Sequence, residues 1–140
     1  MKPDFFIPMV IASMLIFAHS ALAQQQPPEP QKCPSEASIK AYGVSRTLIS
    51  IREGLWTAGR RNFIYDTTDP WSFVMTDIPA TTISEGYDKA VIGLSTLQLQ
   101  LGPTIVQFDK WACLYSTIEG YSAATITPPI VMVDASRYLH

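Results

Sequence analysis

Short runs of β-branched and aromatic side chains alternate with turn residues along most of this chain, and helical spacing interrupts them twice. The clearest helical pattern is Tyr87, Ala90, Val91, Leu94 and Leu97 or Gln98, recurring at three- and four-residue steps. It predicts a helix from Ser84 to Leu99, with Thr81, Thr82 or Ser84 as the cap. Gly86 and Gly93 each weaken such a helix by about 1 kcal/mol relative to Ala, so packing must hold it. A glycine on its buried face also lets it approach a sheet closely. A shorter helix is predicted between Pro34 and Gly43. Proline suits the first turn, Glu36 favours the positive end of the helix dipole, and Gly43 gives a stop. Ala37, Ile39 and Tyr42 are its inward side chains.

The remaining pattern is strand-like. Val44 to Ile51 is β-rich and ends at Glu53-Gly54, after which Leu55 to Gly59 returns. Arg60 to Pro70 reads as a loop with an apolar middle. Trp71 to Ile78 alternates, with Trp71, Phe73 and Met75 on one face, and Pro79 ends it. Leu101-Gly102-Pro103 breaks the chain before an extended Thr104 to Phe108. Trp111 to Thr117, the Glu119-Gly120 turn and Tyr121 to Thr127 form a hairpin closed by Pro128-Pro129. Ile130 to Val133 reads as an edge segment, and Asp134 to His140 as a frayed end. The sum is a small α+β domain. It has an antiparallel sheet of four to five strands, two helices packed on one face, and one disulfide.

The amino-terminal stretch changes the compartment. Met1-Lys2 is followed by apolar residues from Phe5 to Phe17 and by Ala21-Leu22-Ala23, a signal-peptidase pattern. The apolar run is shorter than the roughly 20 residues of a membrane span. Residues 1–23 are therefore predicted to be a signal peptide, which makes the protein periplasmic or secreted and leaves no membrane span after cleavage. Residues 24–32, rich in Gln and Pro, read as a disordered spacer. A single domain over residues 33–129 and a short tail over 130–140 follow. Of the two cysteines, Cys33 opens the domain and Cys113 lies in the hairpin. In an exported chain they most simply form one disulfide; two free thiols are the alternative, disfavoured by the wide spacing.

Charge and residue chemistry narrow the function more than they identify it. A net charge of −2 gives no footprint for nucleic acid. Once His19 leaves with the leader, His140 at the chain end is the remaining histidine, so a Ser–His–Asp or Cys–His site and the usual zinc sites are not expected. Asp66 with Asp69, and Glu85 with Asp88, could pair as hydrolase carboxylates. Turn and helix-start roles explain them better. The reading is thus non-enzymatic. Trp71, Phe73, Met75, Tyr115 and Tyr121 are the candidate ligand-binding residues, set against the simpler expectation that large aromatics serve as core.

Several motifs carry a family resemblance. They are Cys33-Pro34-Ser35 with Ile39-Lys40 just after a leader, Leu55-Trp56 before Thr57-Ala58-Gly59, and Asp69-Pro70-Trp71-Ser72-Phe73. Trp111-Ala112-Cys113-Leu114-Tyr115, Gly120-Tyr121 and Thr125-Ile126-Thr127-Pro128-Pro129 complete them. From Cys33 to Pro129 the chain resembles the small exported proteins of the Legionella type, some of which are named haemin-binding proteins. The resemblance implies an exported, disulfide-linked, non-enzymatic protein with haemin as its ligand. It supplies no ligand residues, and the chain has no Cys-x-x-Cys-His for covalent haem attachment. The alternative is a secreted protein-interaction or inhibitor module that meets a protein partner through an exposed loop such as Arg60 to Asp69.

Overall fold

A computed structural model describes residues 26–107 and 109–139. The expected signal peptide, residues 1–23, and His140, the last residue of the expected frayed end, lie outside the described residues. In order, the elements are α1 (Glu36–Tyr42), β1 (Ile49–Arg52), β2 (Leu55–Phe63) and β3 (Trp71–Pro79). Then follow α2 (Ile83–Ser95), β4 (Gln98–Val106), β5 (Lys110–Ser116) and β6 (Ser122–Thr127). A 3-10 turn at Met132–Asp134 and a short helix α3 (Ser136–Leu139) end the chain.

Six strands form one antiparallel sheet in the order β1-β2-β3-β6-β5-β4. It consists of two three-stranded meanders. The first ends at β3; α2 then carries the chain across the sheet to the far edge, and β4, β5 and β6 step back until β6 pairs with β3. The strand count exceeds the expected four to five because β4 runs through Leu101-Gly102-Pro103 instead of stopping there. Irregular register on both sides of Leu101 absorbs that tripeptide. Arg60 to Phe63, expected in a loop, extend β2.

Side-chain size sorts the two faces of the sheet. Trp71, Phe73, Met75, Cys113 and Tyr115 share one face with Ile39 of α1 and with Ala90 and Leu94 of α2. The alternation read from Trp71, Phe73 and Met75 is therefore the real core face of β3. Asp77, with φ 63, falls where the β2–β3 register shifts between Trp56 and Ala58. That extra residue brings Ile78 onto the same face as Met75. Both glycines of α2 meet the sheet side closely: a Cβ at Gly93 would lie 3.1 Å from Met75 Sδ, and one at Gly86 3.0 Å from Leu48 Cδ2. Thr82 caps α2 by accepting the Glu85 amide at 3.1 Å, and the Glu85 carboxylate accepts the Thr81 amide at 3.0 Å. The helix ends at Ser95, short of the predicted Leu99, because Gln98 and Leu99 pair with Ser116 and Tyr115 in the sheet.

The opposite face corrects the expectation for the tail. Val74, Ala112, Ala124 and Ile126 lie there, covered by Ile130 and Ala135, with Met132, Tyr138 and Leu139 packed around them. Residues 130–139 are thus a strap over the second face, and not an edge strand with a frayed end. The Ser72 hydroxyl fixes its start, accepting the Ile130 amide at 2.9 Å and donating to the Arg61 carbonyl. Gly59 leaves room for it, since a Cβ there would collide with Met132 and with the Phe73 carbonyl. The Gln/Pro-rich segment has no regular structure from Gln26 to Gln31, as a spacer would, yet it lies against the domain. Pro30 is buried, and the Trp111 indole donates to the Pro27 carbonyl at 3.0 Å.

Candidate functional site

Cys33 and Cys113 are disulfide-bonded, with Cα atoms 5.9 Å apart and 80 residues between them in sequence. The bond ties the segment just ahead of α1, three residues before Glu36, to the middle of β5. Gly102 sits directly over it. A Cβ at Gly102 would lie 2.7 Å from Cys113 Cα and 3.0 Å from Cys33 Sγ, and its φ of 142 is one that side chains rarely adopt. The tripeptide read as a chain break is therefore where β4 crosses the disulfide.

The five expected ligand residues divide into two groups. Trp71, Phe73 and Met75 have no exposed surface and lie beneath the helices, so a ligand would have to displace α1 or α2 to reach them. The Trp71 indole is also taken, donating to Thr67 Oγ1 at 2.8 Å. Tyr115 and Tyr121 do border an open hollow of about 310 Å³ beside the hairpin, where Leu139 closes the far side. Tyr115, however, turns its hydroxyl inward to the Pro34 carbonyl at 2.5 Å. Burial pushes that phenol well above its ordinary pKa, so it stays protonated and offers no phenolate to a metal. Burial also raises Tyr65, with Arg60 opposing it.

One carboxylate of each expected pair, Asp66 and Glu85, makes local contacts. Asp66 accepts the Ser35 amide at 3.0 Å and faces Lys32 at 3.9 Å. Burial acts to raise its pKa, but the Ser35 hydrogen bond and Lys32 outweigh that and leave it lowered. With Gln31 and Thr68 these residues rim a small polar hollow of about 260 Å³. Glu85 is occupied at the start of α2 and pairs with Lys89 at 3.3 Å. Among the described residues no group of three His, Cys, Asp or Glu side chains is placed to hold a metal ion. Nor is any described helix long and apolar enough to cross a membrane.

A third concavity joins apolar walls to free charge. It is an open groove of about 370 Å³ between α1 and α2, walled by Gly43, Val44, Tyr87, Val91 and Leu94, with Lys40 at its side. Arg46 stacks on Tyr87, its guanidinium carbon 4.7 Å from the ring centroid. Among the described residues neither Lys40, in the groove lining, nor Arg46, on Tyr87 beside it, forms an ion pair; the same holds for Arg52, Arg60, Arg61 and Lys110. Sequence reasoning treated this stretch as helix only. The available signal was the breadth of the apolar stripe on α2: Ala90 and Leu94 fill the sheet side, Tyr87 is half-buried at its margin, and Val91 is left exposed.

The remaining exposed apolar row is on β4, where Leu99, Leu101 and Ile105 reach solvent at the sheet edge. This edge is protected. The Glu36 carboxylate accepts the Leu99 amide at 3.3 Å, and Pro103 and two register irregularities interrupt the strand. Comparison with family models, curated proteins and solved structures gives no match to this chain.

Proposed function

We propose that this is an exported, non-enzymatic binding protein that carries its ligand in the groove between α1 and α2. The observation that carries the proposal is the pairing of apolar walls at Val44, Tyr87, Val91 and Leu94 with two cations, Lys40 and Arg46, that have no ion-pair partner among the described residues. A disulfide-linked scaffold suits an oxidising compartment. Haemin is the ligand that the family resemblance puts first. It is flat and apolar with two carboxylates, so its body would lie on the groove walls and its carboxylates toward the cations.

Titration of the purified protein with haemin, followed at the Soret band, tests this directly. A saturable shift at micromolar haemin is expected, weakened by Val91→Glu. The absence of a saturable shift overturns the haemin assignment.

One observation favours the second reading, a protein-interaction or inhibitor module. The loop at residues 64–70 is held rigidly: Thr67 Oγ1 accepts from the Trp71 indole and donates to the Ile64 carbonyl at 2.8 Å. It displays Ile64 at 54% exposure. On this reading Ile64→Asp abolishes capture of a protein partner from the native extract and leaves haemin titration unchanged.

A further inference from the structure

We infer that the surface around Trp111 is a binding site for proline-rich peptides of another protein, and that the chain's own Pro27-Pro28-Glu29-Pro30 segment occupies it in the free molecule. The Trp111 indole donates to the Pro27 carbonyl at 3.0 Å, across 84 residues of sequence. Burial along the segment follows a three-residue step. Pro27 is half-buried, Pro30 buried and Cys33 half-buried, while Pro28, Glu29, Gln31 and Lys32 are exposed. Three residues per turn is the period of the polyproline II helix, which makes no hydrogen bonds within itself and leaves its carbonyls to a partner. The three prolines hold φ near the value that helix requires. Pro-x-x-Pro ligands present this preformed helix to aromatic surfaces at low entropic cost.

The apolar surface is larger than the segment that fills it. Ile105 stands opposite Trp111 in the β4–β5 ladder, so the two share a face, and Ile105 is still 43% exposed. A longer partner peptide gains that surface, which the chain's own segment leaves open. The segment competes from a short tether. Pro27 lies six residues from Cys33, which is bonded to Cys113, so its effective concentration is about millimolar and weak docking keeps it in place. The tether spans at most about 20 Å. Exchange between two copies would need their Trp111 surfaces nearly face to face, whereas a separate protein meets no such constraint. A segment docked about nine-tenths of the time leaves about one molecule in ten open, which weakens a partner peptide about tenfold.

The test uses the isotopically labelled exported protein with its disulfide intact. The probe is an unlabelled peptide of residues 24–32, blocked at both ends. The Trp111 indole N–H signal is the one that disappears in Trp111→Phe. In the double variant Pro27→Ser/Pro30→Ser the segment is released, so that signal should move. The indole signals of Trp56 and Trp71, bonded to the Ala80 carbonyl and to Thr67 Oγ1, should stay in place and report an intact fold. The peptide should return the Trp111 signal saturably, about tenfold more tightly than it binds the unaltered protein. The same peptide with its prolines changed to Ser should not. On the unaltered protein, millimolar peptide should displace the labelled segment and sharpen the Glu29 and Gln31 amide signals, a result that needs no variant. An indole signal that stays put in the folded double variant, no saturable return, no displacement at millimolar peptide, or equal binding of the serine peptide overturns the inference. So does a concentration-dependent dimer that the peptide dissociates, which would give the site to a second copy.

Discussion

The two faces of the sheet solve the same problem with different materials. On the helix side, large side chains fill the space: Trp71, Phe73, Met75 and Tyr115 pack under α1 and α2. On the strap side the sheet offers Val74, Ala112, Ala124 and Ile126, and a segment of residues 130–139 lies directly on them. The helix side needs a covalent tie because α1, at seven residues, cannot hold itself together. The strap side has no such tie and relies on close approach over small residues and on the hydrogen bonds at Ser72. A hollow of about 370 Å³ lies between the helices that cover the large side chains, and another of about 310 Å³ lies beside the hairpin with Leu139 of the strap in its lining. The groove proposed to hold the ligand lies on the side built from large parts.

The faces should break differently, and the disulfide gives the largest effect. Replacing both cysteines by Ala frees a loop of about 80 residues and should cost roughly 4–5 kcal/mol in urea unfolding. A cost under 1 kcal/mol would show that α1 docks without the staple. Next, Phe73→Ala should cost about 3–5 kcal/mol by leaving a cavity on the helix side. On the strap side the damaging change is insertion: Ala124→Leu should cost about 1–3 kcal/mol by lifting the strap. If Ala124→Leu is neutral, the strap is not closely packed. The cap on α2 is smaller, with Thr82→Ala expected to cost about 1 kcal/mol in the same assay.

The pattern of what was legible follows the same division. Trp71, Phe73 and Met75 announced their face because alternation of large apolar residues has one physical meaning on a strand. The hairpin around Cys113 was equally clear, and so was α2. The strap was not. Ile130 to Leu139 has no periodicity, and its burial depends on Ala124 and Gly59 being small, which is a property of distant positions. Gly102-Pro103 misled for a related reason: its role is set by the disulfide beneath it, not by its neighbours in sequence. The groove was hidden because Val91 looks like core, and only the packed helix shows that it stays exposed beside a half-buried Tyr87.

The smallest expected effect lies where α1 begins. Asp66 accepts the Ser35 amide and has a lowered pKa in the folded protein, so its contribution is complete above the ordinary carboxylate range. It is lost as pH falls through the lower folded value. Because the side chain is 39% exposed, the contribution should stay below about 1 kcal/mol. Asp66→Ala should therefore be slightly less stable than the unaltered protein at pH 7, and the two should converge near pH 2. A gap that persists in acid would assign the effect to packing instead.

The account depends most on where a ligand sits. Haemin added to isotopically labelled protein should broaden the backbone amide signals of residues 40–46 and 87–95 while leaving the Trp71 to Met75 strand sharp. Broadening centred on that strand, or on Tyr115 and Tyr121 at the hairpin, would contradict a site between the two helices.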